Sequence, residues 1–168
     1  EEINKLRKID EKIRNKNLAF SNVTYTSLLK AYCMNCDFEK VKQIYEEIKS
    51  RNILLNIISY GSLINSFGLI NDLKKVKNLN IELRNKFKNI SVEIYCSLLK
   101  AYSNCKDFTS CKVISKEMKN KGIKLDKIAY ELFIKIYGES KIRVYSEGKE
   151  IDEIELIKKD IKRNKIKV

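Results

Sequence analysis

The chain has 168 residues and a formal net charge of +13, and 43% of its residues are hydrophobic, enough to form a core. No apolar run approaches the roughly 18 residues of a membrane span. The basic excess favours an acidic partner, with nucleic acid ahead of a membrane; a solvated lysine-rich surface is the alternative. There is no histidine, no glycine-rich phosphate loop and no cluster of carboxylates, so we expect no enzymatic activity, no cofactor and no metal site.

Residues 1–21 are predicted to form one amphipathic helix. Ile3, Leu6, Ile9 and Ile13 recur at the helical spacing of three and four residues. An equivalent apolar set follows 35 residues later, as the second helix of a pair. The chain therefore begins partway through a unit, and we expect it to be a fragment of a longer protein.

A motif then occurs four times along the chain. It begins as Thr-Tyr-Thr-Ser-Leu-Leu-Lys-Ala-Tyr at Thr24, and the aligned tyrosines Tyr25, Tyr60, Tyr95 and Tyr130 are 35 residues apart. A fixed period of this length is typical of a stacked solenoid.

Each copy predicts two helices separated by a polar break. In the first copy the apolar positions are Tyr25, Leu28, Leu29 and Tyr32, followed by Phe38, Val41, Ile44 and Ile48. We expect Asp37, Asp72 and Asp107 to cap the second helices, and Gly122 to end the third of them.

We divide the chain into repeat units on this basis. Residues 1–21 form the second helix of a truncated unit, followed by regular units at 22–56, 57–91 and 92–126 and an expanded unit at 127–168. In the expanded unit Tyr130, Phe133, Ile134 and Tyr137 mark the first helix. The second helix is marked by Ile151, Ile154, Ile157 and Ile161. It comes eight residues later than the 35-residue period predicts. A surface-loop insertion is therefore predicted near residues 139–149.

The chain has five cysteines. Cys33 and Cys36 have a Cys-x-x-Cys spacing, which is found in zinc and redox sites. No second pair follows at zinc-finger spacing, so we interpret the cysteines as structural thiols in a reducing compartment.

The repeat resembles the pentatricopeptide repeat. The resemblance rests on the period, on the motif at Thr24, on Asp37–Val41 (Asp-Phe-Glu-Lys-Val) and on Lys116–Asp126 (Lys-Glu-Met-Lys-Asn-Lys-Gly-Ile-Lys-Leu-Asp). It implies an all-α, right-handed superhelical α-solenoid that binds single-stranded RNA, one base per repeat. It also implies a role in protecting, stabilising or processing transcripts of a mitochondrion or a plastid (apicoplast or chloroplast).

The resemblance further implies which residues face RNA. The fifth and last residues of each unit would face a base edge: Thr26 and Asn56, Gly61 and Ser91, Cys96 and Asp126, and Glu131. Thr26 with Asn56 resembles an adenine-reading pair, Gly61 should select little, and Asp126 should prefer guanine or uracil. The second residue would pack on the base, as Val23, Ile58 and Ile128 would; Glu93 takes this place in the third unit and should repel RNA.

Three lysines accompany these positions. Lys30, Lys100 and Lys135 each lie four residues, about one helical turn, after a fifth-position residue. We predict that they contact phosphates, the alternative being an ordinary solvated helix face.

A protein-docking or ribosome-associated subunit without sequence-specific RNA reading is the alternative function. The unusual residues Gly61, Glu93, Cys96 and Glu131 favour it. Self-association through the solenoid ends is also open.

Overall fold

The computed structural model describes residues 2–16, 20–123, 129 and 131–136. These residues form helices and no strand, as the predicted all-α class requires. The helices are α1 (Glu2–Asn15), α2 (Asn22–Met34), α3 (Phe38–Ser50), α4 (Ile57–Leu69), α5 (Leu73–Lys86), α6 (Val92–Asn104) and α7 (Phe108–Asn120). Residues 131–136 are also helical.

The helices alternate between two layers. The first helices α2, α4 and α6 begin at Asn22, Ile57 and Val92, and they pack against one another in sequence. Each of them also packs on the second helix that follows it, whereas the backbones of α3, α5 and α7 do not approach one another as closely. Such an array curves toward its first helices, whose exposed side chains we call the inner face. The boundaries drawn between units stay a prediction.

The apolar positions of the three regular copies form one continuous core, as predicted. The buried residues of the first helices are Tyr25, Leu28, Leu29, Tyr32, Tyr60, Leu63, Ile64, Phe67, Tyr95, Leu98, Leu99 and Tyr102. Those of the second helices include Val41, Ile44, Ile48, Val76, Leu79, Leu83, Cys111, Ile114 and Met118. Where α4 crosses α6, a Cβ at Gly68 would overlap Ala101, so glycine permits the close approach of these helices.

The predicted helix caps are confirmed. The carboxylates of Asp37, Asp72 and Asp107 accept hydrogen bonds from the backbone N–H groups of Lys40, Lys75 and Ser110 at 3.3, 3.0 and 3.1 Å. Gly122 follows the end of α7 with a φ of 61°, the left-handed conformation that favours glycine.

Two apolar residues at predicted core positions are instead exposed. Ile9, on α1, is 54% exposed. Ile134 is also exposed, while Leu132, Phe133 and Ile136 on the same helix are buried. The segment expected to cover Ile134, together with the predicted insertion near 139–149 and the last second helix, lies outside the described residues.

Candidate functional site

Thr26 and Asn56, the predicted base-reading pair of the first unit, are joined through Ser59. Asn56 caps the N-terminus of α4, and its Oδ1 accepts hydrogen bonds from the backbone N and the Oγ of Ser59 at 2.8 and 2.9 Å. The hydroxyl oxygens of Ser59 and Thr26 lie 2.6 Å apart. Thr26 Oγ1 also lies 2.8 Å from the carbonyl oxygen of Asn22. We call Thr26, Ser59 and Asn56 the cap network.

The cap network presents a defined pattern of hydrogen-bonding atoms. A backbone N–H can only donate, so the amide atom of Asn56 that faces Ser59 is its oxygen. The amide nitrogen Nδ2 of Asn56 forms no hydrogen bond with the described residues and is left as a donor. The hydroxyl proton of Thr26 is used by either Ser59 or Asn22, so Thr26 offers lone pairs. The half-buried pair therefore presents one donor and one acceptor.

Apolar side chains flank the cap network on the inner face. Val23, one turn before Thr26 on α2, is 71% exposed, and Ile58, two residues after Asn56, is 57% exposed. In the third copy the equivalent residue is Glu93, which is also exposed. A hydrogen bond from Ser91 lowers the pKa of Glu93, so this part of the inner face carries a negative charge. Ile128 lies outside the described residues.

The second copy has no equivalent of the cap network. Gly61 is buried, and a Cβ placed there would lie 2.7 Å from Cδ1 of Ile94. Ile94 occupies the position equivalent to Ser59, so an apolar side chain fills the space of the hydroxyl pair. Ser91 caps the start of α6 without a side-chain cap hydrogen bond.

The predicted pair of the third copy is only partly described. Cys96 is buried in the core, whereas Glu131, in the fourth copy, is exposed. Asp126 lies outside the described residues, so the structure does not show whether it approaches Cys96. Among the described pairs, the first is the one that the structure joins by side-chain hydrogen bonds.

The predicted phosphate-binding lysines are exposed. Lys30 lies on α2 and Lys100 on α6, and neither forms an ion pair within the described part of the chain. Lys135 is exposed as well. The positive charge of Lys30 and Lys100 is therefore directed to solvent on the inner face.

Many basic residues of the second helices, by contrast, are neutralised by carboxylates. Arg14, Lys49 and Arg84 form ion pairs with Glu47, Glu82 and Glu117 at 2.9, 2.7 and 2.7 Å, which join successive second helices. The hydroxyls of Tyr25, Tyr60 and Tyr95 donate to the same glutamates at 2.8, 3.3 and 2.7 Å. We call Glu47, Glu82 and Glu117 the glutamate ladder. The sequence analysis missed it, although the 35-residue spacing of the three glutamates was a usable signal.

The five cysteines all lie in the described part of the chain. No disulfide joins the five cysteines, and within the described residues no group of three or more His, Cys, Asp or Glu is placed to hold a metal ion. Burial raises the pKa of Cys111 to about 12 and also raises the pKa values of Cys33 and Cys105. These three thiols stay protonated at neutral pH and are poor nucleophiles. Among the described helices, none is long and apolar enough to cross a membrane.

The stacked helix pairs and their inner face define a helical-repeat solenoid. In sequence, residues 21–68 match the model of the PPR repeat family, and residues 73–140 match that of the pentatricopeptide repeat domain. The chain belongs to the pentatricopeptide repeat family, as the motif predicted. No curated protein matches the chain at a significant level.

Solved structures share the fold. The crystal structure of PPR10 from maize matches with a TM-score of 0.64 at 19% identity, over 95% of this chain and 23% of its own. PPR10 in complex with an 18-nt psaJ RNA element matches with a TM-score of 0.63 at 20% identity, over 80% of this chain and 20% of its own. The chain thus spans about a fifth of the length of these structures. The predicted superhelical α-solenoid is confirmed by these similarities.

Proposed function

We propose that the chain binds single-stranded RNA along the inner face, one base per repeat, and that it protects, stabilises or processes a transcript in a mitochondrion or a plastid. The cap network is the observation that carries this proposal, because it presents unused hydrogen-bonding atoms between two exposed apolar side chains. The complex of PPR10 with an 18-nt RNA element supports RNA as the class of ligand.

The hydrogen-bonding pattern of the cap network limits the base it can accept. Adenine and cytosine each present a ring nitrogen acceptor beside an exocyclic amino donor, whereas guanine and uracil present a ring N–H. With Nδ2 of Asn56 facing the ring nitrogen and Oγ1 of Thr26 facing the exocyclic group, the pair complements adenine or cytosine. The resemblance to adenine-reading repeats favours adenine of these two. Val23 and Ile58 would contact the faces of the base.

Lysines on the same face supply the electrostatic part of binding. Lys30, Lys100 and Lys135 would lie along the phosphate backbone, and such contacts hold a strand without reading its sequence. A protein-docking or ribosome-associated role is the second candidate. The observation that favours it is that Gly61 and Cys96 are buried and that Glu93 adds an anionic charge to the inner face.

The salt dependence of RNA binding tests the proposal. The chain is titrated into a fluorescein-labelled, single-stranded RNA pool of randomised sequence at several salt concentrations. Three phosphate contacts predict a log–log slope of about −2, from about −0.7 per contact on a single strand. Double-stranded RNA of the same length should bind more weakly, because its bases are not accessible. Salt-independent binding, or equal binding to both RNAs, would contradict the proposal.

A further inference from the structure

We infer that Ser59 is a positioning residue, which fixes the direction in which Thr26 and Asn56 face a base. Ser59 belongs to the repeat after the one that holds Thr26, so recognition by the first repeat would depend on a residue of its neighbour. The inference rests on the proposed function, since it concerns how the cap network selects a base.

The hydroxyl protons of the cap network allow two arrangements. In one, Thr26 donates to Ser59 and Ser59 donates to Oδ1 of Asn56. In the other, Ser59 donates to Thr26 and Thr26 donates to the carbonyl oxygen of Asn22, so that Oδ1 of Asn56 accepts only from the backbone N–H of Ser59. The Ser59 hydroxyl takes part in both. In both, Thr26 is left without a free proton, so the pattern shown to a base is the same.

Loss of the Ser59 hydroxyl would release both partners. Asn56 would keep the hydrogen bond from the backbone N–H of Ser59, which caps α4, but its carboxamide would lose its second contact. Thr26 would keep its hydrogen bond to the carbonyl oxygen of Asn22 but would lose the 2.6 Å contact that holds it toward Asn56. The spacing between the acceptor Oγ1 of Thr26 and the donor Nδ2 of Asn56 would then no longer be fixed.

The equivalent positions in the next repeat support this dependence. Where the fifth residue is Thr26, the third residue of the following repeat is the hydroxyl residue Ser59. Where the fifth residue is Gly61, the partner is Ile94, whose Cδ1 occupies the space beside the glycine. The two positions are thus matched in polarity and size across the junction between repeats.

Base selection from a randomised RNA pool tests the inference on the parent chain, Ser59→Ala and Ser59→Thr. In Ser59→Ala we expect the preference for adenine or cytosine at one position to fall about three- to tenfold, the effect of one neutral hydrogen bond. Affinity for the unselected pool should not change, because Lys30 and Lys100 are unaltered. Ser59→Thr restores a hydroxyl and should keep the preference; the equivalent residue in the first repeat is Thr24.

Ser66→Ala is the matched control. Ser66 is also buried on α4, and its Oγ donates to Sγ of Cys33 across the same separation of 33 residues, but it lies away from the cap network. We expect this variant to melt at a lower temperature while selecting the same bases as the parent. A melting curve for every variant separates folding from recognition.

The possible failures can be told apart. If the parent selects a base and Ser59→Ala selects it equally well, the positioning role is overturned while RNA binding stands. If Ser59→Ala and Ser66→Ala both reduce selection equally, Ser59 contributes only to stability and the inference is overturned as well. If the parent binds no RNA, the proposed function itself fails.

Discussion

Arg84 and Glu117 form a two-point ion pair between successive second helices, in which Nη1 donates to Oε1 at 2.9 Å and Nη2 donates to Oε2 at 2.7 Å. The Tyr95 hydroxyl also donates to Oε1, at 2.7 Å. The hydrogen bonds from Arg84, and then those from Tyr95 and Lys121, lower the pKa of Glu117 from 4.5 to about 2. This carboxylate therefore links α5, α6 and α7 in its charged form.

The lowered pKa predicts a specific acid sensitivity. Because the folded pKa of Glu117 lies below the unfolded one, its stabilisation is complete above pH 4.5 and is lost as the pH falls toward 2. Glu117→Gln should lower the free energy of unfolding at neutral pH by about 1–3 kcal/mol and flatten its decline in this acid window. Urea denaturation at a series of pH values measures both effects.

Glu39→Gln is the control for this experiment. The Glu39 side chain is 80% exposed and pairs only with Lys42 of its own helix within the described residues. Its replacement should change the free energy of unfolding by less than about 0.5 kcal/mol. A parallel pH dependence of the parent and Glu117→Gln would contradict the prediction.

Gly68 and Gly61 should respond differently to the same substitution. Both lie in α4, where alanine gains about 1 kcal/mol of helix propensity over glycine. The methyl group of Gly68→Ala would overlap the backbone of Ala101, which cannot turn aside, and we expect a net loss of about 1–3 kcal/mol. At Gly61 the obstacle is the end of the Ile94 side chain, which can rotate, so Gly61→Ala should be less destabilising. Thermal melts that rank the two variants in the opposite order would refute the close approach of α4 and α6.

The inner-face lysines should govern affinity and not sequence preference. Lys30→Ala combined with Lys100→Ala should weaken binding to all RNA sequences alike, and make the log–log salt slope shallower by about 1.4. Adding Lys135→Ala should weaken binding further and make the salt slope shallower still. The control is Lys74→Ala with Lys119→Ala, which removes the same charge from exposed positions on α5 and α7. Equal losses of affinity in the two double variants would show that only net charge matters.

Asn56→Asp should change the base selected by the first repeat. The carboxylate keeps an oxygen to cap α4 and replaces the donor Nδ2 with an acceptor. Preference should therefore move from adenine or cytosine to guanine or uracil, whose ring N–H can donate, by about 1–3 kcal/mol at one position. Selection from a randomised pool measures the shift. Asn78→Asp, at an exposed position on α5, introduces the same charge and should leave the selected sequence unchanged.

The repeat sequence was sufficient to predict the helices and most of the core. Apolar residues at helical spacing, repeated every 35 residues, placed α2 to α7, and a lone aspartate marked the start of each second helix. These features are local, so neighbouring residues determine them. The same pattern was wrong for Ile9 and Ile134, which are exposed, because helical spacing marks an apolar face without showing what packs on it.

Parts of the candidate site were also visible in the sequence. The family motif selected Thr26 and Asn56, and the spacing of four residues selected Lys30 and Lys100. The family motif did not select Ser59. The available signal was that a hydroxyl residue stands three positions after an asparagine that caps a helix. The sequence also gave no indication that Ile94 fills the space beside Gly61, because the two residues belong to different repeats.

The sequence by itself determined a repeating pair of helices, which face of each helix is apolar, and the caps between them. Each of these depends on contacts within a few turns of chain. Only the tertiary structure decided which side chains meet between repeats. It placed Ser59 between Thr26 and Asn56, paired Arg84 with Glu117, and set Gly68 against Ala101. Except for the local contact of Ser59 with Asn56, these contacts join residues 33 apart, and their geometry depends on how far each helix pair rotates on the one before it.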